Sequence, residues 1–416
     1  MVSSWSAVVS GALRDDTLAA VEAVIQDVTA HASSRWPANL SDGQLGFALF
    51  FDMASRLTGG RHDEDMVQSL MKAMELFAHS RRKAPGLHVG LGGLGWTALH
   101  LATRHPELDA EELCTEVDEA LEAALRSAGP HACDLQASLS GFGLYALKRL
   151  PHPTGQRLLE LVVERLVEMA EPAEGGLAWP LPRPYWKLHG AEATFPHGLY
   201  TIGVAHGVPS ALAVLAAAHR LGIAREKAER LLRGGFGWLE RLAAPEGAPA
   251  FPHYLHGTER FTDERFAWCV GNPGITAVLW WAAHVWGEPT WEARALEWAR
   301  QVAHEALERP STRSSNLCCG ASGTALLFLR LFHATRLPVF EEAAVRWVRH
   351  TLALRRPGEG VGGFLFEQDP TRTMPVLHYG AAGTALALLA AATDLAPDWD
   401  AAFLFSLPLP SLPPAP

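Results

Sequence analysis

The sequence predicts an all-α protein: an α/α toroid of seven helix pairs, arranged as an inner and an outer ring. Three observations lead to this fold class. A G-x-x-G pattern recurs seven times, at intervals of 48 to 67 residues. Each copy is followed by a helix that is apolar on almost every face, and a helix without a polar face must be buried. The segments between copies carry apolar residues at three- and four-residue spacing, which is typical of an amphipathic helix.

The repeated pattern covers the whole chain and marks the start of each inner helix. The copies begin at Gly43, Gly92, Ser140, Gly207, Gly271, Gly320 and Gly380. Their small residues allow neighbouring backbones to approach closely. The last inner helix, 384–392, is as apolar as the middle ones, whereas the final repeat of an open solenoid usually carries a polar capping face. We therefore expect the seven pairs to close into a ring.

Three intervals exceed the base unit, and the surplus lies in loops rich in Pro, Gly and aromatic residues, at 174–200, 244–268 and 356–379. Each loop leads into an inner helix, so we expect these loops to roof one rim of the toroid. No stretch alternates apolar and polar residues for long enough to predict a sheet. The toroid is expected to form a single domain, residues 1–406, followed by a Pro-rich tail, residues 407–416.

Composition narrows the function classes. The chain has 416 residues, of which 48% are hydrophobic, so it folds around a large core. Acidic residues outnumber basic ones by 45 to 35, which argues against a general nucleic-acid binder. The N-terminus lacks the features of a signal peptide, and apolar stretches such as 276–285 are too short to span a bilayer. We therefore expect a cytoplasmic protein with no transmembrane segment.

If the ring closes, the residues just before each copy converge on one mouth, and three of the five cysteines lie there. Cys269 lies two before Gly271, and Cys318 and Cys319 lie two and one before Gly320. Three thiols from neighbouring helix starts favour a catalytic zinc site with an open fourth position. Alternatively, the three are small buried hydrophobic residues, as free cysteines often are. Cys114 and Cys133 have no such placement and are expected in the core.

Three polar residues share this rim register. His206 lies one before Gly207, Asp134 six before Ser140, and Arg265 six before Gly271. Each also has a purely structural interpretation: a satisfied histidine, a helix N-cap, and a surface ion pair. Other polar residues are also expected near the mouth, with a structural role as the simpler interpretation. They are Asp42, His378 and Tyr379.

The motifs around these residues resemble the lanthionine synthetase C family, the lanthipeptide cyclases of the nisin-cyclase type, over essentially the whole chain. The motifs are Asp134-Leu135 upstream of Leu139-Ser140-Gly141, Ala205-His206-Gly207, Arg265-Phe266-Ala267-Trp268-Cys269 and Asn316-Leu317-Cys318-Cys319-Gly320. The resemblance implies Zn²⁺ bound by Cys269, Cys318 and Cys319. It also implies an active site that contains Asp134, His206 and Arg265.

The resemblance further implies the reaction and the partners. The family adds the thiol of a peptide cysteine to dehydroalanine or dehydrobutyrine in the same peptide, which forms a lanthionine or methyllanthionine ring. The expected substrate is then a dehydrated precursor peptide with leader and core. A separate dehydratase partner is expected, because no dehydratase-like segment is recognisable in the sequence. His206 would protonate the α-carbon, Arg265 would stabilise the developing charge, and Asp134 would orient His206.

Two positions depart from the family pattern, and several alternatives stay open. The family motif is usually Cys-His-Gly, and Cys319 occupies the position of its histidine. Val270 occupies a position where an aromatic residue is usual. The chain could instead be a cyclase-like protein that adds glutathione to dehydroamino acids, or a non-catalytic peptide-binding scaffold. A prenyltransferase-type zinc site would need carboxylate and histidine ligands. A sugar-processing α/α barrel would need paired acids in its mouth.

Overall fold

The computed structural model describes residues 5–32, 36–81, 83–186, 198–244, 250–262, 265–308 and 312–410. The α-helices in these ranges are α1 (Gly11–His31), α2 (Gln44–Thr58), α3 (Asp63–His79), α4 (Leu91–Leu101), α5 (Ala110–Arg126), α6 (Leu139–Arg149), α7 (Pro153–Met169), α8 (Arg183–Trp186), α9 (Val208–Arg220), α10 (Arg225–Leu242), α11 (Asn272–Trp286), α12 (Pro289–Glu308), α13 (Ala321–Thr335), α14 (Pro338–Ala353) and α15 (Ala381–Ala392). A C-terminal 3₁₀ helix spans Asp398–Phe403.

The helices form two concentric rings. The inner ring consists of α2, α4, α6, α9, α11, α13 and α15, and each contacts the next all the way round, including α15 with α2. The outer ring consists of α1, α3, α5, α7, α10, α12 and α14. Each outer helix packs mainly on one inner helix, and α15 packs on α1 at the other end of the chain. The predicted α/α toroid of seven helix pairs is confirmed.

The two rings differ in sequence as burial requires. The inner helix α9 is buried on nearly every face, from Val208 to His219. The outer helix α5 buries a single stripe, with Cys114, Val117 and Leu121 at three- and four-residue spacing. Apolar area therefore drives both layers together, since burial of apolar surface contributes roughly 25 cal/mol per Å².

A closed circle of backbone hydrogen bonds ties the seven inner-helix starts together at one rim. The N-caps of these helices are Gly43, Gly90, Ser138, Gly207, Gly271, Gly320 and Gly380. We number rim positions −1, −2 and −3 backwards from each N-cap. The carbonyl at every position −2 accepts a hydrogen bond from the neighbouring repeat. The bonds run from Leu40 and Ser41 to His88, from His88 to Gln136, from Leu135 to Ala205, from Ala205 to Cys269, from Trp268 and Cys269 to Cys318, from Cys318 to His378 and from His378 back to Ser41, with N···O distances of 2.9 to 3.2 Å.

The structure corrects the register of the second and third copies by two residues. Their helices are capped by Gly90 and Ser138, not by Gly92 and Ser140. The fourth residue of the motif sets this register, because it lies directly against the backbone of the rim. A Cβ at Gly93 would lie 2.3 Å from the carbonyl oxygen of Leu87. A Cβ at Gly141 would lie 2.3 Å from that of Leu135, so glycine is required at the position that meets the rim backbone.

Two of the long loops contain short strands, which the sequence did not predict. The strands are β1 (Glu171–Ala173), β2 (Gly176–Ala178), β3 (Tyr200–Thr201), β4 (Tyr254–His256) and β5 (Glu259–Phe261). Strands β1 and β2 form an antiparallel hairpin, whereas β3, β4 and β5 form an antiparallel sheet in that order. The second sheet joins the loop before α9 to the loop before α11. Strands of two or three residues are too short to show a sequence period.

The C-terminal segment runs inside the inner ring. The carbonyl of Ala402 accepts from His88 Nε2 at 2.8 Å, and that of Phe403 accepts from Trp268 Nε1 at 2.7 Å. On the same 3₁₀ helix, Asp400 pairs with Arg330 of α13 at 2.6 Å. Partners from well-separated repeats place this segment in the lumen, where it fills the space that the inner helices leave.

The predicted division into a toroid (1–406) and a tail (407–416) stays a prediction. Leu407, the first residue of the tail, is buried, and residues 408–410 line a cavity together with it, whereas residues 411–416 lie outside the described residues. In the ranges that the structure describes, no helix combines the length and the apolar character needed to cross a membrane.

Candidate metal and catalytic site

Three thiols meet at the rim where α11 and α13 begin. Cys269 Sγ lies 3.4 Å from Cys319 Sγ, and Cys319 Sγ lies 3.4 Å from Cys318 Sγ. All three sulfurs lie within 4.8 Å of one another. The repeat produces this arrangement: Cys269 and Cys318 both occupy position −2 in adjacent repeats, and Cys319 follows at position −1. The predicted convergence of the three cysteines is therefore present. Cys114 and Cys133 are buried outside this cluster.

The donor set fits a tetrahedral zinc ion. Zn–S bonds of about 2.3 Å place two tetrahedral ligands about 3.8 Å apart, which lies within the spread of the sulfur separations. Burial raises the pKa of Cys318 well above its usual value, and the hydrogen bonds with the other two thiols raise it further. A bound divalent cation is what would allow three sulfurs this close to act as thiolates together. The adjacent N-termini of α11 and α13 add partial positive charge.

A buried carboxylate and a histidine form a second group on the same rim. His206 Nδ1 lies 2.7 Å from Asp134 Oδ2. The other carboxylate oxygen, Oδ1, accepts from the backbone N–H groups of Gln136 at 2.8 Å and Ala137 at 2.7 Å. The Asp134 side chain is 1% exposed and that of His206 is 23% exposed. The aspartate is thus fixed by its own turn, and it holds one histidine nitrogen while the ring faces the mouth.

Asp134 and Arg265 are not equivalent in the repeat, contrary to the sequence prediction. With Ser138 as the true N-cap, Asp134 lies four residues before its helix, whereas Arg265 lies six before Gly271. The carbonyl of Arg265 packs against Gly271, where a Cβ would approach it to 2.6 Å. The Arg265 side chain is exposed. Its predicted role in the active site stays a prediction.

Comparison with known proteins decides the family. The family model described as "Lanthionine synthetase C-like protein" matches residues 34–404. The chain belongs to the lanthionine synthetase C-like family. Nisin cyclase matches this fold with a TM-score of 0.73 at 17% sequence identity, over 92% of this chain and 96% of its own. At that identity the likeness shows the fold alone.

Two further comparisons add little. The unsaturated glucuronyl hydrolase of Streptococcus agalactiae aligns over 91% of each chain at 10% identity, but its TM-score of 0.46 carries no argument. No curated protein sequence matches this chain significantly.

A layer of buried aromatic and histidine rings, which we call the aromatic floor, lies beneath the mouth of this lanthionine synthetase C-like chain. The sequence led us to expect His378 near the mouth but did not single out His88. His88 is fully buried, 5.7 Å from the ring of His378 and 4.5 Å from that of Phe403. Trp268, directly before Cys269, lies 5.1 Å from His378. Burial lowers the pKa of His88 to about 4, although its hydrogen bond to Ala402 raises it. The floor is therefore uncharged near neutral pH and adds no competing charge below the thiols.

The sequence does contain a pattern that identifies His88 as a rim residue. Position −3 is Leu or another large apolar residue in every repeat, and all seven are fully buried: Leu40, Leu87, Leu135, Val204, Trp268, Leu317 and Leu377. The full pattern is thus L-x-x-G-x-x-G. Applied to the second copy, it selects Leu87 and Gly90, and it places His88 at position −2, the position that Cys269 and Cys318 occupy in their own repeats.

Position −1 supplies the side chains around the mouth. Its residues are Asp42, Val89, Ala137, His206, Val270, Cys319 and Tyr379. All except Val270 are at least partly exposed, and Val89 is 40% exposed. Polar and thiol groups therefore occupy one arc, Cys319 through Tyr379 to Asp42. Val89 and Ala137 form an apolar arc between Asp42 and His206.

Proposed function

We propose that this protein is a zinc-dependent lanthipeptide cyclase. It adds peptide cysteine thiols to dehydroalanine or dehydrobutyrine, which forms lanthionine or methyllanthionine rings. The observation that carries the proposal is that three thiols and the Asp134–His206 pair lie on one closed rim. The substrate is a dehydrated precursor peptide, which a separate dehydratase in the cytoplasm supplies.

Cys269, Cys318 and Cys319 would hold the zinc ion. When bound, zinc supplies a Lewis acid that keeps a substrate thiol in its thiolate form at neutral pH. The ligand set Cys₃ carries one more negative charge than a set in which neutral histidine replaces Cys319. Cys319 is the most exposed of the three, so the open side of the cluster faces the mouth.

His206 moves the proton in this proposal. The substrate thiolate forms a C–S bond at the β-carbon, the C=C π bond breaks, and its electron pair becomes an enolate on the amide oxygen. Protonation of the α-carbon then completes the addition of S–H across the double bond. Asp134 holds Nδ1–H, so Nε2 of His206 is the atom that takes the thiol proton and delivers it to the α-carbon.

Two more residues shape the charge and the steric environment in this proposal. Arg265 stabilises the negative charge that develops on the amide oxygen. Val270 offers no hydroxyl at position −1, so hydrogen bonding to the substrate there must come from other groups. The apolar arc of Val89 and Ala137 contacts the apolar peptide residues that flank each ring.

Metal content is the first experiment. Purified wild type should contain about one zinc per chain by elemental mass spectrometry, and Cys318→Ala should lose it. Cys114→Ala is the matched control, because this buried cysteine lies on α5, outside the cluster, and should keep its zinc. A folded wild type that stays zinc-free after reconstitution would overturn the metal assignment.

The second experiment separates the cyclase from its rivals. Wild type should cyclise a chemically dehydrated cysteine peptide, which shows no mass change but a loss of free thiol. Consumption of glutathione with a dehydroalanine-containing protein, and no peptide cyclisation, would instead favour a glutathione-adding enzyme. Zinc binding with neither reaction would favour a peptide-binding scaffold. A paired-acid sugar site is not supported, because Asp134 is committed to His206 and its own turn.

A further inference from the structure

A cavity of about 460 Å³ opens at the end of the toroid opposite the thiols. It lies between the C-terminal ends of α4 and α6 and the chain after Ser406. Lys148, on its wall, lies nine residues along α6 from the rim, which is about 14 Å at 1.5 Å per residue. Most of the wall is apolar and is formed by Trp96, Leu99, Leu144, Leu147, Leu407 and Leu409.

The charges around this cavity do not balance locally. Asp398 is paired with Arg56 at 3.0 Å and with Arg104 at 2.9 Å. Arg104 also pairs with the buried Asp52. Burial lowers the pKa of His100 to about 3, so its ring is neutral at neutral pH. These groups together contain two carboxylates and two guanidinium groups, and they leave Lys148 as the surplus cation.

Lys148 faces the cavity without a carboxylate at contact distance. Its Nζ lies 5.3 Å from the centre of the Trp96 ring, and that indole also stacks on His100 at 5.0 Å. Among the residues that the structure describes, no carboxylate lies within 4 Å of Nζ. Burial lowers the pKa of Lys148, although Asp398 raises it. An ammonium group in apolar surroundings is costly unless an anion compensates it.

We propose that this cavity binds a small amphipathic monoanion, with its carboxylate on Lys148 and its apolar body along the leucine-lined wall. The ligand carries one negative charge, because Lys148 is the single cation that is left without a compensating anion. The wall selects an apolar body, because burial of apolar surface is the main source of affinity in such a pocket. This binding site is separate from the thiols and does not depend on the proposed reaction.

Decanoate and 1-decanol test the proposal as probes of equal chain length, by isothermal titration calorimetry on the full-length protein. Decanoate should bind wild type about tenfold to a hundredfold more tightly than decanol, since hydrogen bonds to charged groups contribute about 1.5–3 kcal/mol. Lys148→Met keeps a long unbranched side chain without the charge, and it should remove that preference while binding of decanol persists. Lys227→Met removes an exposed lysine that pairs with Glu164, and it should leave the preference unchanged.

The outcomes that contradict the proposal are distinct. Equal affinity of wild type for decanoate and decanol would overturn it, as would a decanoate preference that survives in Lys148→Met. Folding is controlled independently, because Met at this apolar site should leave the melting temperature of Lys148→Met no lower than that of wild type.

Discussion

The substitution Asp134→Asn should change which ring nitrogen of His206 carries the proton, and it should leave the fold intact. In wild type, Oδ1 accepts from the N–H groups of Gln136 and Ala137, and Oδ2 lies 2.7 Å from His206 Nδ1. The two backbone donors fix the orientation of an asparagine side chain, because its amide oxygen must face them. The amide nitrogen then replaces Oδ2 and donates to Nδ1. A neutral His206 is thereby forced to carry its proton on Nε2, where it cannot accept one from the substrate.

The size of the effect follows from these contacts. The variant keeps both backbone hydrogen bonds, so its free energy of unfolding should stay within about 1 kcal/mol of wild type. The rate of peptide cyclisation should fall by about 10²–10⁴-fold, which is the typical contribution of general acid–base catalysis. Asp134→Ala instead strands two buried N–H donors, and it should lose about 3 kcal/mol or more of stability. Urea unfolding and a free-thiol assay on dehydrated peptide measure the two quantities.

A readout independent of activity completes this test. The ¹⁵N shifts of His206 should report a proton on Nδ1 in wild type and on Nε2 in Asp134→Asn, since the tautomer follows the partner of Nδ1. A cyclisation rate within threefold of wild type, despite the altered tautomer, would refute the role of His206 in proton transfer. A stability loss as large as that of Asp134→Ala would refute the assumed orientation of the amide.

Two further predictions concern the fold that supports the site. Burial holds the pKa of His88 at about 4 against about 6.5 unfolded, so its contribution to stability is complete above pH 6.5 and is lost as pH falls towards 4. Between pH 7 and pH 5 this costs about 2 kcal/mol, and urea unfolding of His88→Gln should show that much less pH dependence. Gly93→Ala should destabilise the protein by roughly 3 kcal/mol, because its Cβ would meet the Leu87 carbonyl at 2.3 Å. Gly129→Ala, whose nearest neighbour would be 3.4 Å away, should be near neutral in the same unfolding measurement.

The fold was predictable because its information is repeated. Seven apolar helices and seven amphipathic segments are independent observations of one unit, so an error in any one copy leaves the toroid unchanged. The thiol cluster was predictable for the same reason. Cys269 and Cys318 share position −2 in adjacent repeats, and the hydrogen-bonded rim fixes the distance between such positions. The family resemblance agreed with that placement and added the reaction.

What the sequence did not reveal depends on contacts with no period. The register error in the second copy hid His88, because Gly92 fits G-x-x-G as well as Gly90 does when position −3 is ignored. The path of the C-terminal segment depends on single contacts, such as Ala402 to His88 and Asp400 to Arg330. The pairing of Asp134 with His206 also crosses between repeats, at positions that are not equivalent.

The rim explains how such a scaffold separates stability from chemistry. The ring is closed by backbone atoms at positions −2 and −3, and these donors and acceptors do not depend on side-chain identity. Position −3 supplies the buried apolar anchor, and position −1 faces the mouth. Substitution at position −1 can therefore change the groups presented to a substrate, as between His206 and Val89, while the same backbone bonds persist. The closure of the toroid does not need the side chains at position −1, which include His206 and Cys319. Cys269 and Cys318 bring their thiols from position −2, where their backbone atoms take part in the closure.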